Sequence, residues 1–80
     1  MIQTTTKIRA VYADYRARRA HLELREQQFK VNEAQAEFAR VYASWKDGYA
    51  DRIDVDMAQL KLDEARMYLT LLRREFGLDK

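Results

Sequence analysis

The chain offers few residues from which a reactive centre could be built. It has one histidine, His21, and no cysteine. The missing thiols exclude a disulfide framework and thiolate metal sites. His21 reads as a solvated residue beside a helical seam, not as a metal ligand or general base. Asp51, Asp54 and Asp56 are spaced closely enough to suggest a calcium loop. The pattern lacks that loop's central glycine and its terminal glutamate, and helix capping accounts for two of the three. Asp63 and Glu64 are neighbours in sequence, so a helix sends them to different faces and they cannot act as a carboxylate pair. No glycine-rich phosphate loop is present. The expectation is a non-catalytic protein with no cofactor.

Binding chemistry is better represented. The segment Trp45-Lys46-Asp47-Gly48-Tyr49-Ala50-Asp51-Arg52 places two large aromatics and an arginine around a glycine. Exposed aromatics and arginine are favoured contact residues. Trp45, Asp47, Gly48, Tyr49 and Arg52 are therefore the candidate partner-binding residues. Trp45 also ends a hydrophobic seam, whereas Tyr49 follows the glycine and is harder to bury in one hairpin.

These residues need long helices to position them. Proline is absent and the only glycines are Gly48 and Gly77, so the chain has almost no turn punctuation. Thr4, Thr5 and Thr6 are candidate N-caps, and nothing from Lys7 to Lys46 breaks a helix. Gly48 suits the position after a helix C-terminus, with Asp51 or Asp54 capping a second helix. The expected architecture is all-α: one helical hairpin over residues 1–80, with a helix over about 5–47, a turn at 48–51 and a helix over 52–76.

The apolar spacing alternates three and four. In the first helix it runs Ala10, Ala13, Ala17, Ala20, Leu24, Gln27, Val31, Ala34, Phe38, Val41, Trp45. In the second it runs Val55, Ala58, Leu62, Ala65, Leu69, Leu72, Phe76. This is a coiled-coil seam with one polar member, Gln27. A second line stands two residues before each a position: Ile8, Tyr15, Leu22, Phe29, Ala36 and Ala43, then Ile53, Leu60 and Met67, flanked by Met57 and Leu71. A helix apolar on two faces has neighbours on both. A wider stripe in a small bundle and a wall of hairpins packed side by side both fit.

A helix of about 40 residues spans roughly 60 Å and one of about 25 roughly 37 Å. Folding back at Gly48 leaves about the first 20 residues unpaired, an overhang that is marginal alone in water. Ala10, Ala13, Ala17, Ala20 and Leu24 thus form a candidate assembly seam, and self-association is expected. The net charge of +2 is unevenly spread. Residues 1–25 hold six basic and two acidic residues, a net of +4, which leaves −2 for the rest. A solvated helix face explains this, and a polyanion site through Arg16, Arg18, Arg19 and Arg25 is the competing reading. No apolar stretch is long enough to span a bilayer and no secretion signal opens the chain, so export would imply a mature form or an excised piece.

The stretch from Ser44 to Gln59 resembles the helical-tip signature of TolC-type outer-membrane efflux proteins. That signature is an aromatic, two residues, glycine, five residues, Asp-Val or Asp-Leu, two residues, Ala-Gln. Trp45, Gly48, Asp54-Val55 and Ala58-Gln59 match it without a gap, with Trp45 in place of the usual tyrosine. Leu62, Ala65, Tyr68, Phe76-Gly77-Leu78 and the run Ile8 to Arg19 are also similar to that family. Asp56 departs from it, leucine being usual there, and the chain has no β-barrel strands. The resemblance implies one periplasmic hairpin of an α-helical barrel, on the periplasmic side of the outer membrane. Its tip around Gly48 would dock a periplasmic adaptor protein. Two other readings stand beside it. One is a free-standing coiled-coil adaptor or secreted helical hairpin, though Trp-x-x-Gly differs from the Trp-x-Gly turn of such hairpins. The other is a basic helical protein that binds nucleic acid.

Overall fold

The computed structural model describes residues 2–77, with side chains from Lys7 to Gly77. Leu78, part of the sequence resemblance, lies outside them. Two helices, α1 (Ile2–Lys46) and α2 (Arg52–Glu75), form an antiparallel hairpin. The molecule measures 70 × 18 × 16 Å. Helix α1 opens at Ile2, so Thr4, Thr5 and Thr6 stand inside its first turns and do not cap it. Threonine has only a modest penalty in a helix interior, and nothing in this segment breaks the helix before them.

The seam follows the heptad spacing. Val31, Val55, Ala58, Leu62 and Leu69 are buried. Leu24, Ala34, Phe38 and Ala65 pack partly buried against the cluster of Val31, Leu62 and Leu69. Gln27, the one polar seam residue, donates from Nε2 to the Ala65 carbonyl at 3.0 Å. A half-buried amide is thereby satisfied, and the bond ties the register of α1 to that of α2.

The reversal is built from backbone hydrogen bonds. Gly48 has φ +84°, and its N–H donates to the Trp45 carbonyl at 3.0 Å. The Tyr49 N–H donates to the Ser44 carbonyl at 2.8 Å. These two bonds are a Schellman motif, with Gly48 in the left-handed position that a side chain would strain. Asp51 then caps α2 in extended conformation, and its N–H donates to Oδ2 of Asp54 at 3.1 Å. Two of the three clustered aspartates thus serve the start of a helix. At the other end, Gly77 with φ +71° closes α2.

The length difference between α1 and α2 is larger than the spacing alone suggests, 45 residues against 24. The C-terminal part of α2 lies beside His21 and Leu24, where Leu69 and Arg73 share a shallow groove with them. Ala20 is half-buried, whereas Ala10, Ala13 and Ala17 are exposed. The free part of the alanine seam is therefore Ala10 to Ala17. Leu24 belongs to the intrachain core, because α2 reaches that far down α1.

Candidate functional site

Three surfaces remain once the seam is closed: the free alanine seam from Ala10 to Ala17, the tip and the outer edges. At the tip, the aromatics of α1 form a ladder. Phe38 and Tyr42 are stacked with centroids 5.9 Å apart, and Tyr42 and Trp45 are tilted at 5.7 Å. Spacings of three and four residues put these rings on adjacent turns. Two cations extend the ladder. Lys46 Nζ lies 5.1 Å from the Tyr42 centroid, and the Arg52 guanidinium lies 5.2 Å from the Trp45 centroid. Arg52 also pairs through Nε with Asp56 Oδ1 at 3.2 Å. Asp56 thus holds Arg52 over Trp45.

The five tip residues are therefore of different kinds. Trp45 is half-buried and engaged with Tyr42 and Arg52. Gly48 shapes the turn, and Asp47 is exposed on its shoulder with its N–H bound to Ala43. Tyr49 is 85% exposed, the most open large hydrophobic side chain among the described residues. It borders a hollow of about 380 Å³ lined with Arg40, Ser44, Asp54, Met57 and Lys61. Tyr42 is the tip residue that the seam pattern passes over. It lies off the a and d positions, and only its distance of four from Phe38 and three from Trp45 marks it.

The outer edges carry the second apolar line. Ile8, Tyr15, Leu22 and Phe29 on α1 are exposed, as are Ile53, Leu60 and Met67 on α2, with Met57 and Leu71 beside them. Positions two residues before a lie about 160° from it on a 3.6-residue helix, opposite the seam. The hairpin is thus a thin plate with an apolar edge on each side. On the overhang this edge widens, because Val11 and Tyr12 join Ile8 and Tyr15 at spacings of i, i+3, i+4 and i+7. The overhang thereby gathers four exposed apolar side chains, the kind of patch at which proteins associate.

Charged side chains frame the edges. Arg18 pairs with Asp14 at 3.2 Å, and Arg19 with Glu23 at 3.1 Å and the Tyr15 hydroxyl at 3.3 Å. These one-turn pairs help an unpartnered helix persist. Near the tip, Arg40 holds Glu37 bidentately at 2.6 and 3.1 Å. Hydrogen bonding from Arg40 keeps the Glu37 carboxyl below the usual glutamate range.

His21 is exposed, as its place beside the seam suggests. Among the described residues no group of three or more His, Asp or Glu side chains could hold a metal ion, and no helix is long and apolar enough to cross a membrane. No protein-family model, curated protein or solved structure matches the chain. The physical surfaces carry the functional argument: an extended helical hairpin with exposed apolar edges, suited to assembly with other helices.

Proposed function

We propose that the chain is a helical-hairpin assembly module whose outer edges receive neighbouring helices and whose tip meets the end of another hairpin. One observation carries this reading. The exposed apolar line runs along both helices at the same heptad offset, opposite the seam that closes the hairpin. A free-standing two-helix protein has no use for it. In the finer form of the proposal, the hairpin is the periplasmic α-barrel segment of an efflux channel of the TolC type, and an adaptor docks at Tyr49 and Arg52. The ungapped run from Trp45 to Gln59 and the open Tyr49 ring support that form.

The test is the pair Tyr49→Ser and Arg52→Glu in this hairpin grafted into a complete efflux protein. Helix content should be nearly unchanged, because surface changes usually stay within about 0.5 kcal/mol and an exposed cation–π contact adds about 0.5–1 kcal/mol. Adaptor binding should weaken clearly. Unaffected adaptor binding, together with loss of DNA binding on Arg18→Glu with Arg19→Glu, would replace the efflux reading with the basic-helix one.

A further inference from the structure

The overhang poses a geometric problem for any neighbour that is a second copy. If two hairpins stand side by side with their tips level, the α1 edge of one against the α2 edge of the next, each α2 ends at the same height, beside His21 and Leu24 of α1. The edge patch of Ile8, Val11, Tyr12 and Tyr15 then stays uncovered in every copy. Helix reaches it only from the overhang of a second copy, α1 edge to α1 edge, or from a copy that is reversed or shifted along the long axis.

Charge decides which part of the second copy fits. Residues 7–19 carry five basic side chains and one acidic, a net of +4. The tip half of α2, residues 52–64, carries four acidic and two basic, a net of −2. Residues 65–75 of α2 hold Arg66, Arg73 and Arg74 against Glu75, a net of +2. Overhang against overhang, or overhang against the distal half of α2, sets like charges together. Overhang against the tip half of α2 sets opposite charges together, an arrangement that specifies partner and register.

Length and period fit the same arrangement. When one copy is reversed over the same 70 Å span, its tip lies at the other copy's overhang. At 1.5 Å per residue, Ile8 of one copy then stands within about one turn of Ile53 of the other. Because α1 of one copy and α2 of the other now run in the same direction, the heptads keep step: Tyr15 beside Leu60, Leu22 beside Met67. In this register Arg9, Arg18 and Arg19 lie level with Asp54, Asp63 and Glu64. Lys7 and Arg16 lie level with Arg52 and Lys61, two like pairs against those three opposite ones.

We infer that the chain associates with a second copy of itself in the reversed orientation, the basic α1 edge of one copy lying along the acidic half of the α2 edge of the next. This names the partner for the edge surface and rests on the general assembly reading above, not on its efflux-channel form, in which neighbouring tips face the same end. The contact joins two different patches, so it is heterologous and leaves one free edge on each end copy. Such a contact propagates into open-ended ribbons and does not close at a dimer.

The chain has no cysteine, so single cysteines report the orientation. A mixture of Tyr15→Cys and Leu60→Cys chains, treated with a short thiol cross-linker, should give the mixed dimer as its main product. Tyr15→Cys joined mainly to itself, or to Leu71→Cys in preference to Leu60→Cys, would overturn the orientation while leaving assembly intact. Charge reversal gives an independent readout. Arg18→Glu with Arg19→Glu should raise the concentration needed for association by roughly tenfold or more, since juxtaposed like charges are costly at an interface. Asp63→Lys with Glu64→Lys should do the same, and mixing the two variants should restore association. Failure of the mixture to recover would refute the pairing. A chain that stays monomeric and fully helical at every concentration would overturn the assembly reading itself.

Discussion

Leu60 and Leu62 stand two residues apart on α2 and report on different surfaces. Leu62 is 3% exposed at the centre of the seam, whereas Leu60 is 59% exposed on the outer edge. Truncating Leu62 to alanine removes three carbons, worth about 2.4 kcal/mol at about 0.8 kcal/mol per buried group. A residual cavity beside Val31 and Leu69 brings the expected loss to about 2–5 kcal/mol. A two-helix seam supplies only a few kcal/mol in total, so Leu62→Ala should release much of α2 from α1. Leu60→Ala should cost within about 0.5 kcal/mol in the isolated hairpin. The assay is urea denaturation followed by circular dichroism at low micromolar concentration, where association is minimal. At high concentration the order of effects on assembly reverses for Leu60→Ala, which should weaken self-association while leaving the fold intact. Equal losses from Leu60→Ala and Leu62→Ala at low concentration would refute the assignment of inner and outer faces.

Four further outcomes are expected. Gly48→Ala should cost about 1–2 kcal/mol in thermal unfolding, because φ is +84° while nothing lies within 4 Å of an added Cβ. Gln27→Leu should change stability by no more than about 1.5 kcal/mol, the upper end for a typical hydrogen bond, yet allow α2 to slide against α1, read as broadened amide resonances around Ala65. Arg52→Ala should alter tryptophan fluorescence by uncovering Trp45, while Tyr49→Ser leaves both fluorescence and melting temperature unchanged. The Glu37 pair gives a small acid effect: its carboxyl is lowered on folding, so its contribution is complete above the unfolded glutamate pKa, about 4.3. That contribution is lost as pH falls through the lower folded value, and Arg40→Ala should remove this part of an acid titration of helicity.

The seam was readable in the sequence because burial on one stripe of a helix imposes a three-and-four spacing. Val31, Leu62 and Leu69 stand where that spacing puts them. The turn was readable for a similar reason, since only glycine adopts the conformation that Gly48 has without strain. The start of α1 was not, because a threonine run suits an N-cap but is also tolerated inside a helix that tertiary context extends. The arrangement at the tip was legible only in part. Tyr42 follows from local spacing, whereas Arg52 over Trp45 depends on how two helices meet across the turn, which no single stretch of sequence encodes. Exposure of Tyr15, Phe29 and Leu60 could be read from periodicity only as a second stripe. The hairpin's length mismatch and the opposite charges of its two edges are what give that stripe the direction proposed above.

Sedimentation equilibrium of the purified chain across a concentration series, with helicity recorded on the same samples, addresses the outer edges most directly. The expected result is an average mass that rises above the 9.6 kDa of one chain as concentration increases, with no fixed end point and with a fall when salt screens the charged edges. A mass that stays at one chain up to millimolar concentration, with full helix content, would contradict the claim that these edges exist to receive other helices.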